Sequence, residues 1–129
     1  MTHQSQLKQD ETGRLISADK VEGTTVYNPA GDKVGSVSNI MIDKISGRVA
    51  YAVLAAGGIL GMGKEAIALP WNALTYDTSK GGYVVDVDHA KLEEAPQMAS
   101  GDLRELDNRE FEKHIHDYYN IDPYWTFAA

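Results

Sequence analysis

The fold of this chain is decided by residues 33–55, which read KVGSVSNIMIDKISGRVAYAVLA. Two runs rich in Val, Ile and Tyr, residue types enriched in strands, flank the segment DKISG at 43–47. A Gly that closes a loop of three to five residues is a usual way to join antiparallel strands. The segment therefore predicts a β-hairpin, with one strand over 33–42 and a return strand that begins at Arg48.

The two predicted strands differ in their side-chain patterns. In the first, Val34, Ile40 and Ile42 fall on one face while Val37 and Met41 fall on the other, so the alternation slips midway and indicates a bulge. The alternative, a helix, is disfavoured by the Gly, Ser and Asn residues between them. The return strand is apolar on both faces, which predicts a central strand of a small closed barrel with further material packed outside.

Further strands are predicted on both sides of the hairpin. One precedes it over 21–27 and ends at the turn sequence NPAGD, residues 28–32, where Pro fixes φ and Gly allows positive φ. Two follow it, over 65–69 and 83–87, the second after the Gly-rich turn at 79–82. The chain is therefore expected to be mainly β, with closely spaced antiparallel strands.

Helical and acidic patterns replace the strand pattern after residue 87. Most of the net charge of −7 comes from 88–129, where acids outnumber bases. Asp88 can cap a short helix that Pro96 stops, and Asp107 can cap a second one. The second helix carries Glu110 in its first turn and an apolar stripe on one face: Phe111, Ile115, Tyr118 and Tyr119.

The end of the chain holds three aromatic residues in four positions, Tyr124, Trp125 and Phe127. Chain ends usually fray, so something is expected to hold these residues down. Two possibilities stay open: they fold back over the barrel, or they dock on a second subunit or another protein, because aromatic residues are enriched at interfaces.

Five blocks of the sequence, taken together, resemble the PRC-barrel domain. They stand in the family's order: GTTVY at 23–27, GDKVGSV at 31–37, GRVAY at 47–51, GGILGMG at 57–63 and LPWNAL at 69–74. The family includes the cytoplasmic domain of the photosynthetic reaction centre H subunit and the C-terminal domain of a bacterial ribosome maturation factor. The resemblance implies a small β-barrel that docks other proteins and has no established catalytic residues.

The resemblance divides the chain into three parts. Residues 1–13 are expected to be a flexible N-terminal segment, 14–95 a closed antiparallel PRC-barrel-like domain, and 96–129 a helical, acidic and aromatic extension outside the resemblance. A length of 129 residues leaves room for one domain.

Composition limits the compartment and the partners. The N-terminal residues lack the apolar run of a signal peptide, and the weakly polar stretch 49–62 is too short to span a bilayer, so a cytoplasmic protein without a transmembrane span is expected. The absence of Cys excludes disulfides and Cys-ligated metals. A net charge of −7 disfavours nucleic acid as a partner.

The sharpest chemical motif runs from Gly58 to Lys64 and satisfies the G-x-x-x-x-G-K part of a phosphate-binding loop. Its next residue, Glu65, stands where Ser or Thr should bind Mg²⁺, and a predicted strand follows where a helix should begin. We therefore interpret these residues as a Gly-rich connection between strands.

Other candidate site residues are interpreted in the same way. His114 and His116 point about 200° apart on the predicted helix and cannot share one ion, so both are expected on the surface. Asp86, Asp88 and His89 could form a weak metal site, but a solvated acidic edge is favoured because oxygen-rich sites need more ligands.

Trp71 can be a ligand platform, although a lone Trp between strands is more often a core anchor. No Ser, His and acid cluster in a way that suggests a nucleophile and its base.

These patterns favour a non-enzymatic protein–protein interaction or adaptor module that forms a homodimer and uses no cofactor or metal. The alternatives are a small-ligand or metal-binding barrel and a factor associated with the ribosome or RNA processing. The interface candidates are the apolar residues of the Gly-rich loop, the second helix and the end of the chain: Ile59, Leu60, Met62, Phe111, Ile115, Tyr118, Tyr119, Tyr124, Trp125 and Phe127.

Overall fold

A mixed β-sheet forms the centre of the computed structural model, which describes residues 15–55, 66–98 and 102–127. Within these ranges six strands pair in the order β4-β3-β2-β1-β6-β5. Their bounds are β1 Thr25–Tyr27, β2 Lys33–Ile42, β3 Val49–Ala55, β4 Ala66–Pro70, β5 Leu74–Asp77 and β6 Gly82–Val85.

Short helices surround the sheet, and the longest of those described covers it near the C-terminus. The α-helices are α1 Ala18–Val21, α2 His89–Glu93 and α3 Arg109–Tyr119, and 3-10 turns lie at Trp71–Ala73, Leu103–Asp107 and Tyr124–Phe127. None of the helices in the described ranges has the length and apolar character of a membrane span.

The structure confirms the predicted hairpin. Strands β2 and β3 pair antiparallel, and their register shifts between Val37 and Asn39, where the side-chain alternation slips in the sequence. The connecting turn closes through a backbone hydrogen bond from the Asp43 amide to the Arg48 carbonyl, at 2.8 Å. Strand β3 is paired on both sides and buried along most of its length, as the apolar pattern predicts.

The prediction of a closed antiparallel barrel is wrong in two respects. Strands β1 and β6 pair in parallel, and β4 and β5 stand at opposite ends of the sheet although only the turn Trp71–Ala73 separates them in the chain. Pro70 ends β4 and has no amide hydrogen to donate, and the 3-10 turn then carries the chain away from that edge. The result is an open, half-barrel sheet.

The bounds of several elements also differ from the sequence expectation. The helical turn α1 occupies the start of the predicted first strand, so β1 begins only at Thr25. Strand β5 has no counterpart among the predicted strands. Asn108, not Asp107, caps α3, since its side chain accepts a hydrogen bond from the Glu110 amide at 2.9 Å.

The core lies between the sheet and the helices that follow it. Ile115 of α3 and Leu92 of α2 are fully buried among residues of β3 and β4. Met98, in the segment predicted as a linker, bonds to Ala66 at both its amide and its carbonyl, which partly covers the β4 edge. All five residues of β4 are buried although the strand has only one strand neighbour, since α3 also packs against it.

Tyr119, at the C-terminal end of α3, carries a buried hydroxyl with no hydrogen-bond partner in the described part of the chain. Burying a hydroxyl without a partner costs about 1–3 kcal/mol. We expect Tyr119→Phe to leave the free energy of unfolding unchanged or to raise it by about 1 kcal/mol, as measured by urea denaturation. Tyr124→Phe is the matched control, because it removes a hydroxyl that donates to Glu112 and should lower this free energy.

Candidate functional site

A buried carboxylate organises one end of the sheet. Glu112, in the first turn of α3, is 4% exposed. Its Oε1 accepts hydrogen bonds from the hydroxyls of Tyr51 at 3.0 Å and Tyr124 at 2.7 Å, and its Oε2 pairs with Arg109 Nε at 3.2 Å. A buried charge is tolerated only when it is paired and hydrogen-bonded, and these three contacts meet that requirement.

His116 lies one turn further along α3 and is 3% exposed, so the expectation of a surface residue is wrong for His116, whereas His114 is exposed. Its Nδ1 faces the carbonyl oxygen of Ile121 at 3.1 Å, and its Nε2 faces the Tyr51 hydroxyl at 3.0 Å. Because a carbonyl oxygen only accepts, Nδ1 carries the proton, and Nε2 of the neutral ring is an acceptor. The Tyr51 hydroxyl has a single hydrogen, which Glu112 Oε1 and His116 Nε2, both at 3.0 Å, share as acceptors. We call Tyr51, Glu112, His116 and Tyr124 the polar hub.

The hub holds the end of the chain, residues 121–127, which we call the tail. The Tyr124 ring packs edge-on against Tyr51 at 5.7 Å, and the Trp125 ring lies 5.5 Å from that of His116. The Arg109 guanidinium sits 3.7 Å from the centre of the Trp125 ring, within the range of a cation–π contact. The described part of the tail therefore packs on its own chain, against α3 and β3.

A cavity of about 390 Å³ opens beside the hub, between the start of β3, the end of β4 and the tail. Its size falls within the usual range for binding sites, which is about 300–1,000 Å³. The lining combines apolar and polar side chains: Arg48, Val49, Ala50, Pro70, Trp71, Asn72, His116, Ile121, Asp122 and Tyr124.

The turn between β2 and β3 immediately precedes Arg48 and Val49 of the cavity lining. Asp43 fixes the turn, because its carboxylate accepts from the Ile45 amide at 3.3 Å and from the Ser46 hydroxyl at 2.7 Å. The Ser46 hydrogen bond lowers the pKa of Asp43, which keeps the carboxylate charged. Ile45 at the tip is 96% exposed and Ile42 at its base is 52% exposed. The turn thus presents apolar side chains on an ordered backbone.

Burial and charge keep the hub tyrosines protonated. Burial, with the Glu112 carboxylate close by, raises the pKa of Tyr124 to about 12 and that of Tyr51 still further. Both residues are therefore hydrogen-bond donors at neutral pH. Burial also lowers the pKa of His116, and this effect outweighs the opposing attraction of Glu112 and Asp117.

The lowered pKa of His116 makes a prediction for pH dependence. The unfolded residue takes up a proton near its ordinary value of 6.5, whereas the folded residue does so at lower pH. The stability that the neutral ring contributes is thus present above pH 6.5 and is lost as the pH falls through the folded pKa. We expect the free energy of unfolding to fall more steeply between pH 7.5 and 5 in the wild type than in His116→Gln.

Urea denaturation at a series of pH values measures this difference, and an NMR titration of the imidazole measures the pKa directly. The comparison with His116→Gln isolates the histidine, and the lowered pKa values of Asp43, Asp77 and Asp102 do not interfere, because their contribution to stability is lost only near and below their ordinary pKa of 3.8. A His116 pKa at or above 6.5 would contradict the prediction.

The structure distributes the interface candidates over different environments. Ile59, Leu60 and Met62 lie outside the described residues, as does the Lys64–Glu65 end of the phosphate-loop motif. Ile115 and Tyr119 are buried in the core of this chain, which leaves them no open surface for a partner. Four others are partly buried: Phe111, Tyr118, Tyr124 and Trp125. The last candidate, Phe127, belongs to the 3-10 turn Tyr124–Phe127, and its side chain is outside the described part of the structure.

The remaining candidates have structural neighbours. Trp71 packs edge-on against Tyr83 at 5.4 Å, as a core anchor would, and it also lines the cavity. Asp88 caps α2 by accepting from the Lys91 amide at 2.8 Å. Within residues 15–55, 66–98 and 102–127, no group of three or more His, Cys, Asp or Glu side chains is placed to hold a metal ion.

Sequence reasoning missed the polar hub. The spacing of Glu112 and His116, four residues apart on a helix, was available in the sequence and places both on one face. Tyr51 gave no such indication, because it lies in an apolar strand and far from α3 along the chain.

Comparison with known proteins places the chain in a family. A crystal structure from Pseudomonas aeruginosa, named as the 16S ribosomal RNA processing protein RimM, is similar to this chain with a TM-score of 0.41 and 16% sequence identity. The similarity covers 57% of this chain and 44% of that one, so this chain spans less than half of that protein. No curated protein matched the sequence. The model of the PRC-barrel domain matches residues 13–92 and confirms the resemblance read from the sequence: the chain belongs to the PRC-barrel domain family.

Proposed function

We propose that the protein is a non-enzymatic binding module that holds a protein partner at the hairpin end of its sheet, the surface formed by residues 42–50, the cavity and the start of the tail. One observation carries the proposal: Ile45 is 96% exposed on a turn that hydrogen bonds hold in place, and the strand that follows this turn lines a cavity of about 390 Å³. Ile42, which is 52% exposed, pairs with Val49 of the cavity lining, so Ile45 belongs to a wider apolar surface, and such surfaces mark interaction sites.

The ordered turn favours binding for a second reason. A loop that is already fixed loses little conformational entropy when a partner docks, so more of the contact free energy is left for affinity. Interfaces are commonly anchored by an apolar side chain that enters a pocket and excludes water. The hairpin end provides both parts, a projection at Ile45 and a recess next to it.

The polar hub supports binding over catalysis. Tyr51, Glu112, His116 and Tyr124 use their polar atoms on one another and on the Ile121 carbonyl. A general base needs a free lone pair within reach of the substrate proton, and here the Nε2 lone pair of the neutral His116 ring faces Tyr51. The hub is thus a clamp that fixes the tail as one wall of the cavity.

The other sequence predictions remain proposals. Because Ile115 and Tyr119 are buried, we place the docking surface at the hairpin end and not on α3. Association with the ribosome or with RNA processing is a second hypothesis, which the family resemblance raises. A net charge of −7 directs it toward a protein component and away from direct RNA contact.

Site-specific photo-crosslinking in the native cell extract tests the proposal. A photoreactive amino acid at position 45 should trap a discrete protein adduct, and the additional substitution Ile42→Asp should abolish that adduct. The matched control carries the photoreactive group at Thr75, which is exposed on β5 at the other end of the strand order. The same adducts from both positions, or none from position 45, would show that the hairpin end is not a docking surface.

A further inference from the structure

We infer that the partner held at the hairpin end is a second copy of this chain, in a two-fold dimer in which Ile45 of each copy enters the cavity of the other. The inference rests on the proposed docking surface and names its occupant.

The projection and the recess lie close together on one molecule. Ile42, at the base of the turn, pairs with Val49, which lines the cavity. Arg48, which follows Ile45 by three positions, lines the cavity as well. At the rise of a strand, about 3.4 Å per residue, Ile45 is within roughly 10 Å of the cavity residues.

This proximity suits a two-fold interface. In such an interface both copies use the same patch. If one residue of the first copy contacts a second residue of the other copy, the second residue of the first copy contacts the first residue of the other. A projection next to a recess meets this condition, because a rotation axis between them places each projection in the opposite recess. The two contacts then form together and close the assembly at two copies.

The chemistry of the two parts matches. The walls of the cavity include Val49, Pro70, Trp71 and Ile121, which suit a branched aliphatic side chain such as Ile45. The cavity volume of about 390 Å³ leaves room for the atoms of the turn next to that side chain. Covering Ile45 and Ile42 in both copies removes the most exposed large apolar residue of the described chain from water.

Charge also favours a second copy at this end. Two chains with a net charge of −7 repel each other, so they approach with least cost where charges of both signs can pair. The turn carries Lys44 beside Ile45, and its Asp43 carboxylate already accepts from Ser46 and Ile45 of the same chain, while Asp122 contributes a carboxylate to the cavity lining and is exposed. When Ile45 enters the opposite cavity, Lys44 comes near Asp122 of the other copy, and opposite charges meet.

Sedimentation velocity of the full chain, from micromolar to millimolar concentration, tests the inference. The wild type should pass from monomer to dimer, and Ile45→Asp should stay monomeric throughout. Leu15→Asp is the matched control, because Leu15 is another exposed apolar residue, at 72%, outside the hairpin end, and this variant should dimerise like the wild type. Circular dichroism of each variant checks that it is folded.

A charge exchange tests the pairing itself. Lys44→Glu and Asp122→Lys should each weaken the dimer by roughly two- to thirty-fold, because each breaks two exposed ion pairs in the two-fold interface. The double variant should restore the wild-type dissociation constant, because both pairs of the two-fold interface are then reversed. If the double variant forms a dimer that is weakened by both single effects together, the contact between Lys44 and Asp122 is wrong, and with it the proposed two-fold arrangement.

Two other results would overturn the inference as a whole. One is a wild type that stays monomeric at millimolar concentration, and the other is a dimer that survives Ile45→Asp. If position 45 still crosslinks to a different protein in the first case, the proposed function stands and only the second copy is wrong. If position 45 gives no adduct either, both proposals fail.

Discussion

Replacing Glu112 with Ala is expected to lower the free energy of unfolding by about 2–4 kcal/mol, because hydrogen bonds to a charged acceptor, each worth about 1.5–3 kcal/mol, are lost together with the cost of burying that charge. The substitution leaves the buried hydroxyl of Tyr51 without its carboxylate acceptor and deprives Tyr124 and Arg109 of theirs. It also removes one of the contacts that tie the tail to α3, the hydrogen bond from Tyr124. Urea denaturation followed by circular dichroism measures the loss for the whole fold.

Two further variants distinguish the loss of the hub's hydrogen bonds from the loss of a negative charge alone. Glu110→Ala removes a carboxylate that is exposed on the same helix and lies 3.9 Å from Lys113, and it should change the free energy of unfolding by less than about 0.5 kcal/mol. Glu112→Gln keeps one acceptor oxygen and should lose less than the Ala variant. Equal losses for Glu110→Ala and Glu112→Ala would contradict the role given to the hub.

Replacing Gly82 with Ala is expected to destabilise the sheet by about 2–3 kcal/mol, at the upper part of the range for overpacking. An added Cβ would lie 2.5 Å from the backbone oxygen of Thr25 and 3.1 Å from the Tyr27 ring. Real Cβ atoms do not approach a backbone oxygen so closely, so β6 must move away from β1. That movement strains the parallel pairing of Val26 with Tyr83.

Urea denaturation measures this loss, and amide hydrogen exchange localises it. Protection should fall most in β1 and β6, because their pairing is the one disturbed. The matched control is Thr75→Ala on β5, an exposed position paired with Val84 of β6, where the change should be within about 0.5 kcal/mol. A Gly82→Ala protein as stable as the wild type would show that β1 and β6 are not packed closely at this point.

The sequence was sufficient to predict the hairpin, because its indications are local. The turn 43–47, the slip of alternation in β2 and the two apolar faces of β3 all lie within 33–55, and each appears in the structure. The cap of α2 by Asp88 is also local and is confirmed. Closure of the sheet cannot be predicted from local sequence, since it depends on where the chain places β5 after β4 ends at Pro70.

The candidate site, like the closure of the sheet, depends on contacts between residues that are far apart in the sequence. Tyr51 is one of several apolar residues in β3, and only the placement of α3 on the sheet makes its hydroxyl a donor to Glu112. The surface prediction for His116 rests on the two histidines being unable to share one ion, and it fails because two packed elements supply partners for a buried ring. The sequence does not single out Ile45, because turn residues are normally exposed and a lone exposed apolar residue does not indicate a binding site.

The parallel pairing of β1 with β6 also fixes an order of assembly. As the chain is synthesised, β1 can find β2 at once, but its other side has no neighbour until Val84 has left the ribosome. The nascent chain therefore carries an unpaired edge of β1 until β6 has been made, and such an edge is one on which other polypeptides add. The docking of β6 closes this edge by a non-local pairing, which we expect to form late in folding.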